Sequence, residues 1–203
     1  VTEESKLRLF TAVELPQRWK EALGRAGAEL GRVGGSEIKP VASNLMHLTL
    51  VFLGYQPAAS LSAIEAALAA AAADVAPFRL TLGQVGYFGQ PHRLQVVWVG
   101  LANPPGELER LHQAIGTRLA ALRVHFDTKP LAPHITLARM RRPSDRAASL
   151  RMHAALQALR VPSGLSMEVS EYVLMESLLS HSGPEYQVVG RFPLTGPPKN
   201  PPA

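Results

Sequence analysis

His47-Leu48-Thr49-Leu50-Val51-Phe52-Leu53-Gly54 and Pro133-His134-Ile135-Thr136-Leu137-Ala138-Arg139 carry the same His-apolar-Thr-Leu pattern, with the two histidines 87 residues apart. A shuffled chain with seven histidines and eight threonines among 203 residues would hold about 0.3 His-x-Thr triplets. This chain has two, each inside an apolar run that reads as a strand. Side chains alternate faces along a strand, so His47 and Thr49 share one face while Leu48 and Leu50 take the other. His134 and Thr136 repeat the arrangement. Each strand therefore presents an imidazole and a hydroxyl together.

Outward from these stretches the chain reads as a coarse repeat, over residues 8–53 and 94–139. In the first copy, alternating residues 6–13 predict a strand, and Pro16 opens a helix over residues 17–30. Gly34-Gly35 ends that helix, and residues 46–53 form a second strand closed by Gly54. In the second copy, residues 94–101 are a strand, and Asn103 caps a helix that tolerates Pro104 and Pro105 in its first turn and runs to Arg123. A loop with Pro130 and Pro133 then leads into a strand over residues 134–139.

Between the copies, Ser62 and Glu65 have capping-box spacing, which predicts the start of an Ala-rich helix ended by Pro77, with a strand over 78–85 after it. An arginine-rich helix over 145–159 and strands over 166–177 and 185–194 follow the second copy. The tail from Gly196 has four prolines in eight residues and reads as disordered. The expected fold is α+β and two-lobed with pseudo-symmetry, antiparallel sheets lining a central cleft and helices outside. Residues 1–195 would form a single bilobal domain and 196–203 the tail.

Composition bounds the chemistry. An apolar content of 46% against 18% charged residues suffices for a sizeable core. The absence of cysteine excludes disulfides, thiolate metal sites, iron–sulfur clusters and a cysteine nucleophile. The formal charge of +5 favours acidic partners such as nucleic acid. No apolar run reaches the roughly 18–20 residues that cross a bilayer, and the first residues carry Glu3, Glu4, Lys6 and Arg8, so no membrane association and a cytoplasmic location are expected.

Two histidines near their ordinary pKa of about 6.5 can serve as acid and base at neutral pH, and two hydroxyls can hold the nonbridging oxygens of a phosphate ester. Such a device needs no metal or cofactor. Six arginines (139, 141, 142, 146, 151 and 160) stand against Asp145 alone between residues 139 and 160; they read either as a solvated helix face or as an electrostatic track for RNA. His92, His112, His125, His153 and His181 lack metal-ligand spacing and read as structural or exposed, His181 in a loop that could reach the mouth of a groove. No Gly-x-x-x-x-Gly-Lys phosphate loop is present.

The chain resembles the two-histidine phosphoesterase superfamily, and within it the RNA 2′,3′-cyclic phosphodiesterases first named 2′-5′ RNA ligases. The resemblance rests on the two histidine stretches, on Arg8-Leu9-Phe10-Thr11-Ala12-Val13-Glu14-Leu15-Pro16 and on Gly183-Pro184-Glu185-Tyr186, in the family's order and over nearly the whole chain. It departs from the family in having Met46 between Asn44-Leu45 and His47.

The resemblance implies hydrolysis of an RNA-terminal 2′,3′-cyclic phosphate to a 2′-phosphate, with reverse 2′-5′ ligation as a side activity. It implies His47 as proton donor to the leaving 3′-oxygen and His134 as proton acceptor from water; the half-motifs alone leave the two roles open. Thr49 and Thr136 would bind the phosphate, Arg139 would contact phosphate or nucleotide, and Phe52 would stack on a base. Strict alternation puts position +5 on the face opposite the histidine, so Arg139 and Phe52 both require a bend. The expected partners are RNA ends bearing a 2′,3′-cyclic phosphate, tRNA fragments among them, met by a monomer. Two alternatives are a non-catalytic RNA-end binding module and a phosphodiesterase for a small cyclic nucleotide or ADP-ribose cyclic phosphate.

Overall fold

The computed structural model describes residues 5–90, 93–102, 104–141, 146–162, 164–180 and 183–198. Among the described residues, nine strands form one antiparallel sheet: β1 (Lys6–Glu14), β2 (Ile38–Pro40), β3 (His47–Pro57), β4 (Phe78–Gln90), β5 (Arg93–Leu101), β6 (His134–Met140), β7 (Ser166–Val169), β8 (Glu171–Ser180) and β9 (Gly183–Pro193). The spatial order is β7-β4-β5-β6-β3-β1-β8-β9, with β2 paired to β6 off that path. One face is covered by the helices α1 (Gln17–Gly34), α2 (Leu61–Ala73), α3 (Gly106–Ala121) and α4 (Arg146–Ala158).

The middle of the sheet is the pseudo-symmetry element, where β3 and β6 meet at the pair Leu48 and Ile135, both fully buried. On one side lies the lobe β3-β1-β8-β9, and on the other β6-β5-β4-β7. The helices cross over. Helix α1 follows β1 yet packs behind β6 with α4, while α3 follows β5 yet packs behind β3 with α2. Most of the core lies between helices and sheet, and a small second cluster of Phe10, Ala12, Val173 and Met175 lies on the other face. Buried Tyr172 ties β8 to α2 by donating its hydroxyl to the Leu68 carbonyl at 2.7 Å, and burial raises its pKa.

Several boundaries differ from the sequence reading. Strand β3 continues through Gly54, whose φ of 67° accommodates an irregularity that leaves Leu53 unpaired against β1. The Ser62 capping box does not form: a 3-10 turn over Ala58–Ser60 delivers the chain already helical, and α2 starts at Leu61 without a side-chain cap. Pro105 occupies the N-cap position of α3, and Asn103 lies outside the described residues. The strand expected over 166–177 is two strands, because the chain leaves β4 of one lobe and joins β1 of the other across Ser170. Gly196 is not loose: its amide donates to the Val75 carbonyl at 3.0 Å and it is buried against the end of α2, whereas 199–203 lie outside the described residues. Among the described residues, no helix is long and apolar enough to cross a membrane.

Candidate active site

The face of the sheet free of helices carries a groove of about 730 Å³. His47, Thr49, His134 and Thr136 all line it, while Leu48 and Ile135 between them point into the core. With Leu48 opposite Ile135, antiparallel register sets His47 across from Thr136 and Thr49 across from His134. The four side chains therefore occupy the corners of a square of positions around the pseudo-twofold axis, on the groove face.

Each imidazole is held in the same way. The Nδ1 of His47 donates to the Leu45 carbonyl at 2.8 Å, and the Nδ1 of His134 donates to the Ala132 carbonyl at 2.7 Å. A carbonyl only accepts, so the bond fixes the proton on Nδ1 and leaves Nε2 for the groove. Met46 stands where Pro133 stands in the other copy, between the accepting carbonyl and the histidine. Aromatic walls complete the setting. His47 lies 4.9 Å from the Phe10 ring and 5.2 Å from Tyr186; His134 lies 4.8 Å from Phe88 and 6.3 Å from Trp98.

Burial holds the His47 pKa below the ordinary value; the Leu45 carbonyl works against this, while Arg139, His134 and Lys20 lower it further. A smaller cavity of about 290 Å³ lies beside His47, with Lys20, Glu14 and Asn44 in its wall.

Arg139 and Phe52 reach the groove by matched irregularities. Along β3, Thr11 of β1 faces Val51 but Ala12 faces Thr49, so Leu50 is an extra residue. Along β6, Val97 of β5 faces Ala138 but Trp98 faces Thr136, so Leu137 is extra. Both bulges fall three residues after the histidine and shift the alternation by one, which turns position +5 to the histidine's face. Phe52 is 52% exposed and, like Arg139, lines the groove. The first bulge frees the Val51 amide, which donates to the buried Thr11 hydroxyl at 3.1 Å.

The arginine-rich segment is divided. Arg139 is in the groove, but α4 lies on the helical side against α1 and β5. Arg151 pairs with Glu37 at 3.5 Å, and Arg160 donates to the Gln157 carbonyl at 2.8 Å. Arg142, Asp145 and the Arg146 side chain lie outside the described residues, as do His92 and His181. No basic track along α4 therefore leads into the groove among the described residues. The other cations of the groove are instead Lys39 of β2, paired with Arg139, and Arg8 of β1, which sequence reasoning left unassigned because they are distant in sequence and join the groove only through pairing. Phe10 and Tyr186 sit in quoted motifs, so their presence was visible and their contact with His47 was not.

His112 lies on α3, where burial lowers its pKa; His125 is exposed; His153 packs edge-on against Tyr87 at 4.8 Å on the helical side. Among the described residues, no group of three or more His, Asp or Glu side chains is arranged to hold a metal ion.

The chain matches the 2′-5′ RNA ligase superfamily over residues 36–180. It is 35% identical over 198 residues to the RNA 2′,3′-cyclic phosphodiesterase of Thermus thermophilus, covering 94% of this chain and 91% of that one. It is 31% identical to the Escherichia coli protein of the same name, covering 93% and 97%. A crystal structure of a Thermus thermophilus protein aligns with a TM-score of 0.76 at 32% identity, covering 94% of this chain and 99% of that one. Escherichia coli LigT complexed with 3′-AMP aligns at 0.73 with 28% identity and the same coverage.

Proposed function

The chain belongs to the 2′-5′ RNA ligase superfamily, and from that membership we propose that it hydrolyses RNA-terminal 2′,3′-cyclic phosphates to 2′-phosphomonoesters by histidine acid–base catalysis. The observation that carries the reading is the square of His47, Thr49, His134 and Thr136 on one face of the β3–β6 seam, with both Nε2 atoms left free by matching Nδ1 bonds. Relatives named RNA 2′,3′-cyclic phosphodiesterase at 31–35% identity support the substrate class.

The phosphorus of the cyclic ester sits between the two imidazoles. His134, neutral with its proton on Nδ1, uses Nε2 to take a proton from a water molecule as the water oxygen bonds to phosphorus. The bond from phosphorus to the 3′-oxygen breaks opposite that attack, and protonated His47 delivers its Nε2 proton to the leaving oxygen. The 2′-oxygen keeps the phosphate. His47 ends neutral and His134 protonated, and exchange with solvent restores both. Anchoring Nδ1 to a carbonyl suits either role, because protonation alone decides whether Nε2 donates or accepts. The Thr49 and Thr136 hydroxyls donate to the nonbridging oxygens, where charge increases in the transition state.

Burial disfavours the charged form of His47, and the anionic ester supplies the negative charge that favours it. Arg139 contacts a phosphate or the nucleotide, and Phe52 stacks on a base. Both half-sites come from one chain, which is consistent with a monomer; the substrate class is consistent with a cytoplasmic setting.

The test is mass spectrometry of the product from a short RNA 2′,3′-cyclic phosphate, incubated with EDTA and then treated with a nuclease that distinguishes 2′- from 3′-phosphate. A 2′-phosphate formed by wild type and lost in His47→Ala and His134→Ala is expected. Near-wild-type turnover by either variant, or turnover abolished by EDTA, would overturn the mechanism.

A further inference from the structure

Lys39 of β2 and Arg139 of β6 are direct partners in an antiparallel ladder. Directly opposed like charges destabilise a sheet pair. Both side chains are exposed, both line the groove, and neither has a carboxylate ion-pair partner among the described residues. Glu37, two residues earlier on the same segment, pairs with Arg151 at 3.5 Å instead. The groove lining contains no Asp or Glu among the described residues, so the repulsion is left uncompensated there.

The position of the pair along the strand is informative. On the β5 side, Thr136 faces Trp98 and Arg139 faces Val96, an offset of two β5 residues or about 7 Å. That interval is comparable with the separation of successive phosphates along an RNA strand. The pseudo-symmetric position in the other lobe differs in chemistry: beside Phe52, the Asp127 amide donates to the Phe52 carbonyl at 2.8 Å, and Asp127 itself pairs with Lys129. Of these two pseudo-equivalent positions, the one at Arg139 carries a two-cation pair and the one at Phe52 does not, which gives the groove a direction.

We propose that Lys39 and Arg139 form a second phosphate site, which clamps the phosphodiester joining the terminal nucleotide to the one before it. The inference rests on the phosphodiesterase reading and extends it: the enzyme prefers chains of at least two nucleotides to a mononucleotide. Lys39 acts as a specificity residue, away from the bonds that form and break. Arg8 lines the same groove but already donates to the Ser177 hydroxyl at 3.2 Å and lies toward Phe52, so the clamp assigns it no upstream phosphate.

The experiment compares kcat/KM for a mononucleoside 2′,3′-cyclic phosphate and for a dinucleotide with the same terminus, at several salt concentrations, in wild type, Lys39→Gln and Arg8→Gln. It also measures binding of the dinucleotide 2′-phosphate product. Wild type should favour the dinucleotide by tenfold or more. Lys39→Gln should reduce that preference at least fivefold and flatten the salt slope for product binding by about 0.7, as expected for one lost contact to a single strand. Its Tm should hold or rise, because one of two repelling charges is gone.

Turnover of both substrates by wild type, with preference and slope unchanged in Lys39→Gln, overturns the clamp and leaves the phosphodiesterase reading standing. The same holds if Arg8→Gln, and not Lys39→Gln, removes the preference. Lys39-dependent, salt-sensitive product binding by a wild type that hydrolyses neither substrate supports the clamp and overturns the phosphodiesterase reading.

Discussion

The hydroxyl of Thr11 accepts the Val51 amide at 3.1 Å, and through that bond a residue of β1 supports the bulge that aims Phe52 into the groove. Thr11 is fully buried, so an unpartnered amide there would lack water as a substitute. Thr11→Val keeps the shape and removes the acceptor. It should cost about 1–3 kcal/mol of stability in urea titrations and raise KM more than it lowers kcat. Unchanged stability would show that the bulge does not depend on this bond.

Phe52→Ala should weaken binding of an oligonucleotide substrate roughly tenfold or more, since stacking on a base contributes about 1–3 kcal/mol. Phe52→Trp should retain affinity. Equal losses in both variants would assign Phe52 to packing with Phe10, whose ring lies 6.0 Å away.

The His47 pKa can be followed by NMR of its ring. In the free protein the midpoint should lie below the usual value of about 6.5, chiefly because the ring is buried. Arg139→Gln should raise it, as should saturation with inorganic phosphate. A midpoint unmoved by phosphate would separate His47 from the anion site. The same shift links to stability. With the folded value below the unfolded one, the His47 contribution is complete above about pH 6.5 and is lost as pH falls from there through the folded midpoint. A chain carrying His47→Gln should lose less stability over that interval.

Gly86 faces Trp98 across β4 and β5, and a Cβ at residue 86 would collide with the indole ring. The glycine thus leaves room for Trp98 to lie against the sheet behind His134. Gly86→Ala should lower kcat more than it raises KM and change tryptophan fluorescence. An altered spectrum with an unchanged kcat would remove Trp98 from the positioning of His134.

Leu48 and Ile135 are the register pair that joins β3 to β6, and both belong to the core. Leu48→Ala and Ile135→Ala should each cost about 2–5 kcal/mol. In a double-mutant cycle their effects should be non-additive, because they are in contact. Additive losses would imply that the lobes are held mainly by their helices.

The architecture was legible where periodicity and punctuation agree: the repeat, the helix after Pro16 and the two histidine strands stand in the structure close to their expected bounds. The meeting of His47 and His134 in one groove was legible because a repeated motif in a repeated unit converges on a symmetry axis. Three features were not. A bulge such as that at Leu50 or Leu137 depends on the partner strand's register, which a period-two pattern cannot express. The break at Ser170 reflects a change of partner between two strand-like runs. Lys39 belongs to a three-residue strand too short for any periodic signal, yet it is the cation directly opposite Arg139.

The crossing of helices and strands between lobes also governs how the molecule comes apart. β1 and β3 build one lobe, the chain then contributes β4 to β7 to the other, and β8 and β9 return to the first. No single cut separates the lobes, because β8 and β9 return to the first after β4 to β7 have built the second, and α1 and α3 each cover the half that their preceding strand does not belong to. The many sequence-distant contacts should make folding slow, and the interleaved lobes should come apart together. His47 and His134, set on the two strands of one seam, should therefore lose their settings in the same transition on heating.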